Sequence, residues 1–267
     1  MLSLNLEQRA SLAAFAAAFP FEEVLLGRIL EEEFGEVVVD RWPEPRAAML
    51  SGVETAFLVG DASVEDAPAL VQAAVANGTT LMLHPAADWE ALLIQSFGPD
   101  RVRKADWTAL DGSSMSLDEV LALKTTLPAE CTCRRMTAED ARRLVAEDAI
   151  VIGPWWSSPE DFFARGFGYV VEGEDGGLLA SIHTARIRGK RMRVFIQTQR
   201  DARRKGLAMA MTAHFIEFCR LNGGYRSWWN AINPDAIALA QSLGFSTVGT
   251  FQTWHVRGTR ARPPRPR

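Results

Sequence analysis

Residues 199–208 read "QRDARRKGLA". Three basic side chains, Arg203, Arg204 and Lys205, crowd in front of Gly206 at the head of a run of good helix formers. The first turn of a helix has N–H groups without internal acceptors and carries the positive end of the helix dipole, so it takes an anion readily. Gly206 has no Cβ, which lets a phosphate come close to the backbone. Each N–H given to a charged phosphate oxygen contributes about 1.5–3 kcal/mol. The stretch therefore fits a pyrophosphate. On spacing alone it fits a solvated basic turn before a helix equally well.

Such a loop works only if a strand delivers it and a helix carries it away. "MRVFIQTQ" (192–199) has strand composition, and the helix that opens at the motif runs to "RLNGG" (220–224). Upstream, "CTCRRM" reads as a strand, and 137–148 as a helix with Thr137 as cap and Asp140 three residues on. A second helix at 157–166 has Ser158 as cap, Pro159 in its first turn and Gly166 at its end. The hairpin "FGYVVEG"–"LLASIHTARI" turns at "EDGG" and leads to the strand before the motif. Downstream come a strand at 225–231, a helix at 233–244 and a strand or strand pair at 245–256. The predicted order of this half is βααβββαβαβ.

The first half alternates helical patterns (6–18, 20–33, 64–76, 86–97, 116–125) with short apolar runs (36–40, 55–61, 79–85), which predicts α/β layering. The apolar stretch "SLAAFAAAF" (11–19) reads as a buried helix face rather than a leader, because "PFEE" follows it and not a cleavage site. This half shows no glycine-rich phosphate loop and no catalytic spacing, and no internal repeat is evident in the residues. "TTLPAE" (125–130) reads as a joint. The expected organisation is an α/β domain over 1–128, a second domain over 129–257 and an Arg/Pro-rich tail, 258–267, of disordered composition.

Composition bounds the function. With 48% apolar and 23% charged residues, the chain has the balance of a soluble globular protein. No apolar run approaches the roughly 18–20 residues that span a bilayer. Cys131, Cys133 and Cys219 form neither a disulfide framework nor a zinc pattern, which predicts a reducing cytoplasm and no metal. The net charge of −4 hides an asymmetry. Residues 1–128 carry 8 basic against 20 acidic side chains, and residues 129–267 carry 21 against 13. An acidic half is thus joined to a mildly basic one. The overall charge argues against nucleic acid as a main partner; "RIRGKR" (186–191) reads as a solvated hairpin tip, and it and the arginine tail are the places where a phosphate or nucleic acid would bind.

"RRKGLA" (203–208) resembles the R-x-x-G-x-A signature of the GNAT superfamily of acyl-CoA N-acyltransferases. "NPDAIALAQSLGF" (233–245) is similar to that superfamily's second signature, an Asn at the head of a helix that ends in Leu-Gly-Phe. The two stand in the right order about 30 residues apart, and the resemblance covers about 129–256. In finer detail, "WWSSPEDFFARGFGYVV" and the acidic first half look like the zwittermicin A-resistance type. The resemblance implies a mixed-sheet GNAT fold in the C-terminal half behind a smaller α/β domain, with acetyl-CoA as acyl donor and a small-molecule primary amine as acceptor. It also implies direct attack of the amine within a ternary complex.

The resemblance further implies that the backbone of Arg203, Arg204, Lys205, Gly206, Leu207 and Ala208 holds the CoA pyrophosphate. Ile196 and Thr198 would meet the pantetheine through their main chain, and the same strand would give an N–H to the thioester oxygen. Asn233 would contact the pantetheine amide; its residue type and the Pro234 behind it suit a helix cap equally. Two departures stand out. Ala240 occupies the place where many GNAT enzymes have a tyrosine that protonates the leaving thiolate, which leaves water or Ser242. Arg193 stands where an acidic residue is often found. His183 on "SIHTA" is the candidate proton relay, with a packed core histidine as the plainer reading, and His214 and His255 have weaker claims. Trp155, Trp156, Trp228 and Trp229 suit an acceptor pocket or core positions. The acidic half would cover one side of the acceptor cleft. The other class that fits is a CoA-binding sensor that has lost catalysis.

Overall fold

The computed structural model describes residues 1–32, 34–52, 54–77, 80–146, 156 and 158–258. The chain forms two compact units. The first comprises Met1–Trp107 and the chain from Thr250 onward, and the second comprises Thr108–Gly249. Residues 108–128 therefore lie in the second unit, and the last strand of the chain ends in the first.

In chain order, the first unit contains β1 (Leu2–Ser3), α1 (Leu6–Arg9), α2 (Ala13–Ala16), α3 (Glu23–Glu31), β2 (Glu36–Val39), β3 (Ala47–Ser51), β4 (Thr55–Gly60), α4 (Ala67–Asn77), β5 (Thr80–His84) and α5 (Ala86–Phe97). β6 (Val102–Asp111) runs across the division at Trp107. Asn5 and Gln8 form a reciprocal cap on α1. The expected single helix over 6–18 is broken by a 3-10 turn at Ala10–Leu12, and of "SLAAFAAAF" only Leu12 and Phe19 are buried. Strands β1 to β4 pair antiparallel in sequence order, and β4 pairs parallel with β5. Side chains alternate across the sheet. On β4, Phe57 and Val59 enter a core with Leu25, Leu26 and Ile29 of α3, while Ala56 and Leu58 enter another with Leu70, Val71 and Ala74 of α4.

The second unit continues with α6 (Leu117–Ala122), β7 (Thr132–Arg135), α7 (Ala138–Ala146), α8 (Pro159–Arg165), β8 (Gly168–Glu172), β9 (Leu178–Arg188), β10 (Arg191–Thr198), α9 (Leu207–Leu221), β11 (Arg226–Ala231) and α10 (Pro234–Ser242). The final strand, β12 (Ser246–Val256), crosses back at Thr250. The order from β7 to β12 is the predicted βααβββαβαβ. Thr137 and Asp140 cap α7 reciprocally, and Ser158 caps α8 by accepting from the Asp161 N–H at 3.2 Å. β7, β8, β9 and β10 pair antiparallel, β10 pairs parallel with β11, and β11 pairs antiparallel with Thr108–Asp111 of β6. One face carries Ala180, Ile182, Val194 and Trp229 against Leu207, Met211 and Phe215 of α9. The other carries Val170, Leu178 and Ala185 against Phe162 of α8. The structure is the α/β, mixed-sheet arrangement that the sequence predicts.

Candidate acyl-donor site

The basic motif lies where β10 gives way to α9. β10 and β11 pair only at Arg191–Arg226, Met192–Ser227 and Arg193–Trp228. At that point β10 has a bulge, between Arg193 and Val194, in its ladder to β9. Beyond it Val194–Thr198 stay with β9, while Trp228–Ala231 stay with β6. The two parallel strands therefore part company, and the edge of β10 toward β11 has no ladder over the stretch that contains Ile196 and Thr198. Both residues are half-buried.

After Thr198 the chain makes a 3-10 turn, Arg200–Ala202, and Arg203 Nε donates back to the Thr198 carbonyl at 3.2 Å. Arg204 (φ +62°) and Gly206 (φ +79°) are both left-handed. Among the described residues, none accepts from the main-chain N–H groups of Arg204, Lys205 or Gly206. α9 has no side-chain cap, so the N–H groups of Leu207, Ala208 and Met209 in its first turn are also left over. Arg203, Arg204 and Lys205 are exposed. The result is a row of unused donors, a helix dipole and three cations, a combination that suits a diphosphate.

Gly206 is needed for a reason the motif does not show. A Cβ at this position would meet the Thr126 carbonyl oxygen at 2.7 Å, at a φ that L-residues rarely adopt. Thr126 ends a 3-10 turn (Leu123–Thr126) that packs on α9, where Lys124 and Glu217 pair at 2.6 Å. Sequence reasoning missed this support because Thr126 is remote in sequence and has no motif of its own.

Asn233 caps α10, its Oδ1 accepting from the Asp235 N–H at 2.9 Å. Ala240 is fully buried in the core with Leu243 and Phe245, and the Ser242 hydroxyl donates to the Ala238 carbonyl on an exposed helix face. Trp156 gives its Nε1–H to the Thr184 carbonyl within the α8 core, and Trp229 packs edge-on against Phe245. Trp228 bonds Asn230 Oδ1 at 2.9 Å, and Trp155 lies outside the described residues. Arg186, read as part of a solvated hairpin tip, is fully buried on β9; only Gly189 and Lys190 of that stretch are exposed.

His183 is wholly buried between Phe162 (5.9 Å between ring centroids) and Phe195 (5.4 Å). Nδ1 faces the Thr184 carbonyl at 3.2 Å, which assigns it the proton and makes Nε2 the acceptor. Nε2 has no partner among the described residues. Burial lowers the pKa to about 4. His214 on α9 is also held below its usual range, first by burial and then by Lys124, and His255 belongs to the first unit.

The His183 shift predicts a pH effect on stability. The imidazole of the unfolded chain titrates near 6.5, so between about 6.5 and 4 the unfolded state binds a proton that the folded state refuses. Stability is full above about 6.5 and falls, as pH drops toward 4, by on the order of 3 kcal/mol. Urea midpoints measured across this range should decline more steeply in the wild type than in His183→Leu, which keeps only the contribution of His214. Equal slopes in the two proteins would refute the assignment.

The model of the GNAT acetyltransferase family matches residues 16–254, and the protein belongs to that family. It is an acyl-CoA-dependent N-acetyltransferase, in a family that uses acetyl-CoA. A GCN5-related N-acetyltransferase-like protein from Streptococcus suis shares the fold with a TM-score of 0.80 at 22% identity, over 94% of this chain and 99% of its own. A GCN5-related N-acetyltransferase from Kribbella flavida aligns with a TM-score of 0.57 at 17% identity, over 94% and 96%. A tandem GNAT protein of the clavulanic acid biosynthesis pathway aligns with a TM-score of 0.58 at 15% identity, over 96% and 95%. No curated protein matches the sequence significantly. Among the described residues no helix is long and apolar enough to cross a membrane, and no group of three or more His, Cys, Asp or Glu is placed to hold a metal.

Proposed function

We propose that the protein transfers the acetyl group of acetyl-CoA to a primary amine of a small molecule, by direct attack with both substrates bound. The observation that carries this reading is the pairing of a parted strand seam with an uncapped, basic helix start directly beyond it. The main-chain N–H groups from Arg204 to Ala208 would hold the pyrophosphate, with Arg203, Arg204 and Lys205 around it. The pantetheine would enter the seam and pair with β10 at Ile196 and Thr198, and Asn233, at the head of α10, would reach its amide. The resemblance to the zwittermicin A-resistance type supports a small-molecule acceptor, and the cysteine usage supports a cytoplasmic site of action.

In the reaction the amine nitrogen forms a bond to the thioester carbon, and a β10 N–H stabilises the oxyanion; a single donor of this kind contributes about 2.7–4 kcal/mol. The C–S bond then breaks, the nitrogen loses its proton and the thiolate gains one. An alkylammonium of pKa near 10.4 must first give up a proton, which costs about 4–5 kcal/mol at pH 7. His183 is the candidate relay through its Nε2 lone pair; with its pKa lowered to about 4 it is too weak a base for the free alkylammonium, and it would take the more acidic proton of the attacking nitrogen once the C–N bond has formed. With Ala240 in the core, water is the candidate donor to the thiolate, whose thiol pKa near 8.5 makes it a fair leaving group.

Release of free CoA thiol from acetyl-CoA tests the reading against a panel of amino acids, polyamines, aminated sugars and peptide N-termini. Thiol release that depends on a small primary amine, with initial-rate lines that intersect, is expected. Turnover restricted to peptide termini, or parallel lines, would overturn it.

A further inference from the structure

The two halves of the chain repeat one plan. From β1, through the broken helical stretch Leu6–Ala16 and α3, to β6, the order is βααβββαβαβ, the same as from β7 to β12. The pairing repeats as well. In each half the first four strands pair antiparallel in succession, and the fourth pairs parallel with the fifth. The final strands are exchanged: β12 pairs with β5 at Trp254–Leu81, and β6 pairs with β11 from Thr108 to Asp111.

This correspondence sets the β4–α4 junction against the β10–α9 junction, and the two differ in every feature that the donor site uses. β4 and β5 stay paired without interruption from Thr55–Thr80 to Val59–His84, so the seam that opens after Arg193 in the second copy is closed in the first. α4 begins Ala67-Pro68 where α9 begins Leu207-Ala208. Pro68 has no N–H, and the N–H of Ala67 is already given to the Val64 carbonyl at 3.0 Å. The loop reads "DASVED" (61–66), with three carboxylates and no cation, against the basic "QRDARRKG" (199–206). The carboxylate of Asp61 further takes the N–H (2.8 Å) and the hydroxyl (2.6 Å) of Ser63. An incoming pyrophosphate would find a shut seam, fewer donors and a loop with carboxylates in place of cations, of which Asp61 and Asp66 are already paired with Arg46 and the Met1 amino group.

We propose that the chain is two copies of one acyltransferase fold with exchanged final strands, of which only the second retains a donor site, so that each chain binds one acyl-CoA. The proposal rests on the donor site assigned above. Calorimetric titration of the full chain with acetyl-CoA should give one equivalent. That binding should be weakened at least 100-fold in Gly206→Glu and stay within about twofold of wild type in Asp61→Ala. Lys205→Glu, at an exposed position, serves as a second loss variant should Gly206→Glu fold poorly, with an expected loss of roughly tenfold. Two equivalents, or one equivalent that survives both substitutions at wild-type affinity, would overturn the single-site assignment and leave acyl-CoA binding itself intact. No binding at all would overturn the donor-site reading and this inference with it.

Discussion

Gly206→Glu is expected to lose acetyl-CoA binding while the fold survives. At φ +79° a residue with a Cβ costs about 1–2 kcal/mol, and here that Cβ also meets the Thr126 carbonyl oxygen at 2.7 Å. The loop must shift to relieve the contact, and it takes the N–H groups of Lys205 to Ala208 with it. Loss of two N–H contacts to charged oxygens, at about 1.5–3 kcal/mol each, amounts to a fall in affinity of at least 100-fold. The glutamate adds a charge of the wrong sign at the helix N-terminus. Gly206→Ala separates the effects, since it keeps the backbone strain and the contact without the charge; a loss of about 100-fold is expected from it, with the glutamate charge adding to that in Gly206→Glu. Titration alongside circular dichroism decides the matter. Affinity within threefold of wild type in a folded Gly206→Glu would mean that the loop does not hold the phosphates.

The largest effect on stability is expected from Phe215→Ala. Phe215 is fully buried on α9, stacked on Phe167 at 5.0 Å and edge-on to Tyr169 at 6.5 Å. It fixes α9, whose first turn is the proposed cradle, against the sheet that carries β10. Truncation of a buried phenylalanine costs about 3–5 kcal/mol, or about 10 °C in the Tm of a unit of this size. Acetyl-CoA at about 100 times its Kd should restore roughly 2.7 kcal/mol, because ligand bound only to the folded form shifts the balance by mass action. Thermal scans with and without ligand test both parts. A loss below 1 kcal/mol would show that the helix is held elsewhere.

Much of the second unit was legible because its punctuation is local. Thr137 with Asp140, Ser158 with Pro159, and Asn233 with Pro234 each announce a helix start through contacts within three residues, and all three form as read. The proposed anion cradle was read on the same kind of local signal, the basic run and glycine at the head of α9. Three strands were not, the first of them β1, whose two residues carry no pattern. β3 ("AAMLS") is buried at every position and contains no β-branched residue, so it has neither alternation nor strand composition. β6 carries Arg103, Lys104 and Asp106 in its first half, polar residues that give no apolar pattern, and its Thr108–Asp111 end is fixed by pairing with β11. The role of Thr126 is a contact between segments remote in sequence. The repeated plan was hidden too, because the junctions that differ most, "DASVED" and "QRDARRKG", are those a sequence comparison would use to detect it.

The exchange of final strands sets an order of events during synthesis. The first unit emerges from the ribosome well before the second, yet β5 lacks its outer neighbour until Trp254 has been made. At about 5–20 residues per second, the chain from Leu81 to Trp254 takes roughly 10–35 s to appear. The second unit has no such delay, since Thr108–Asp111 are already available when β11 is formed. The part of the protein made first is thus completed last. Until then the edge of β5, with the otherwise buried Leu81, Met82 and Leu83, is the segment of the nascent chain most open to pairing with the wrong strand.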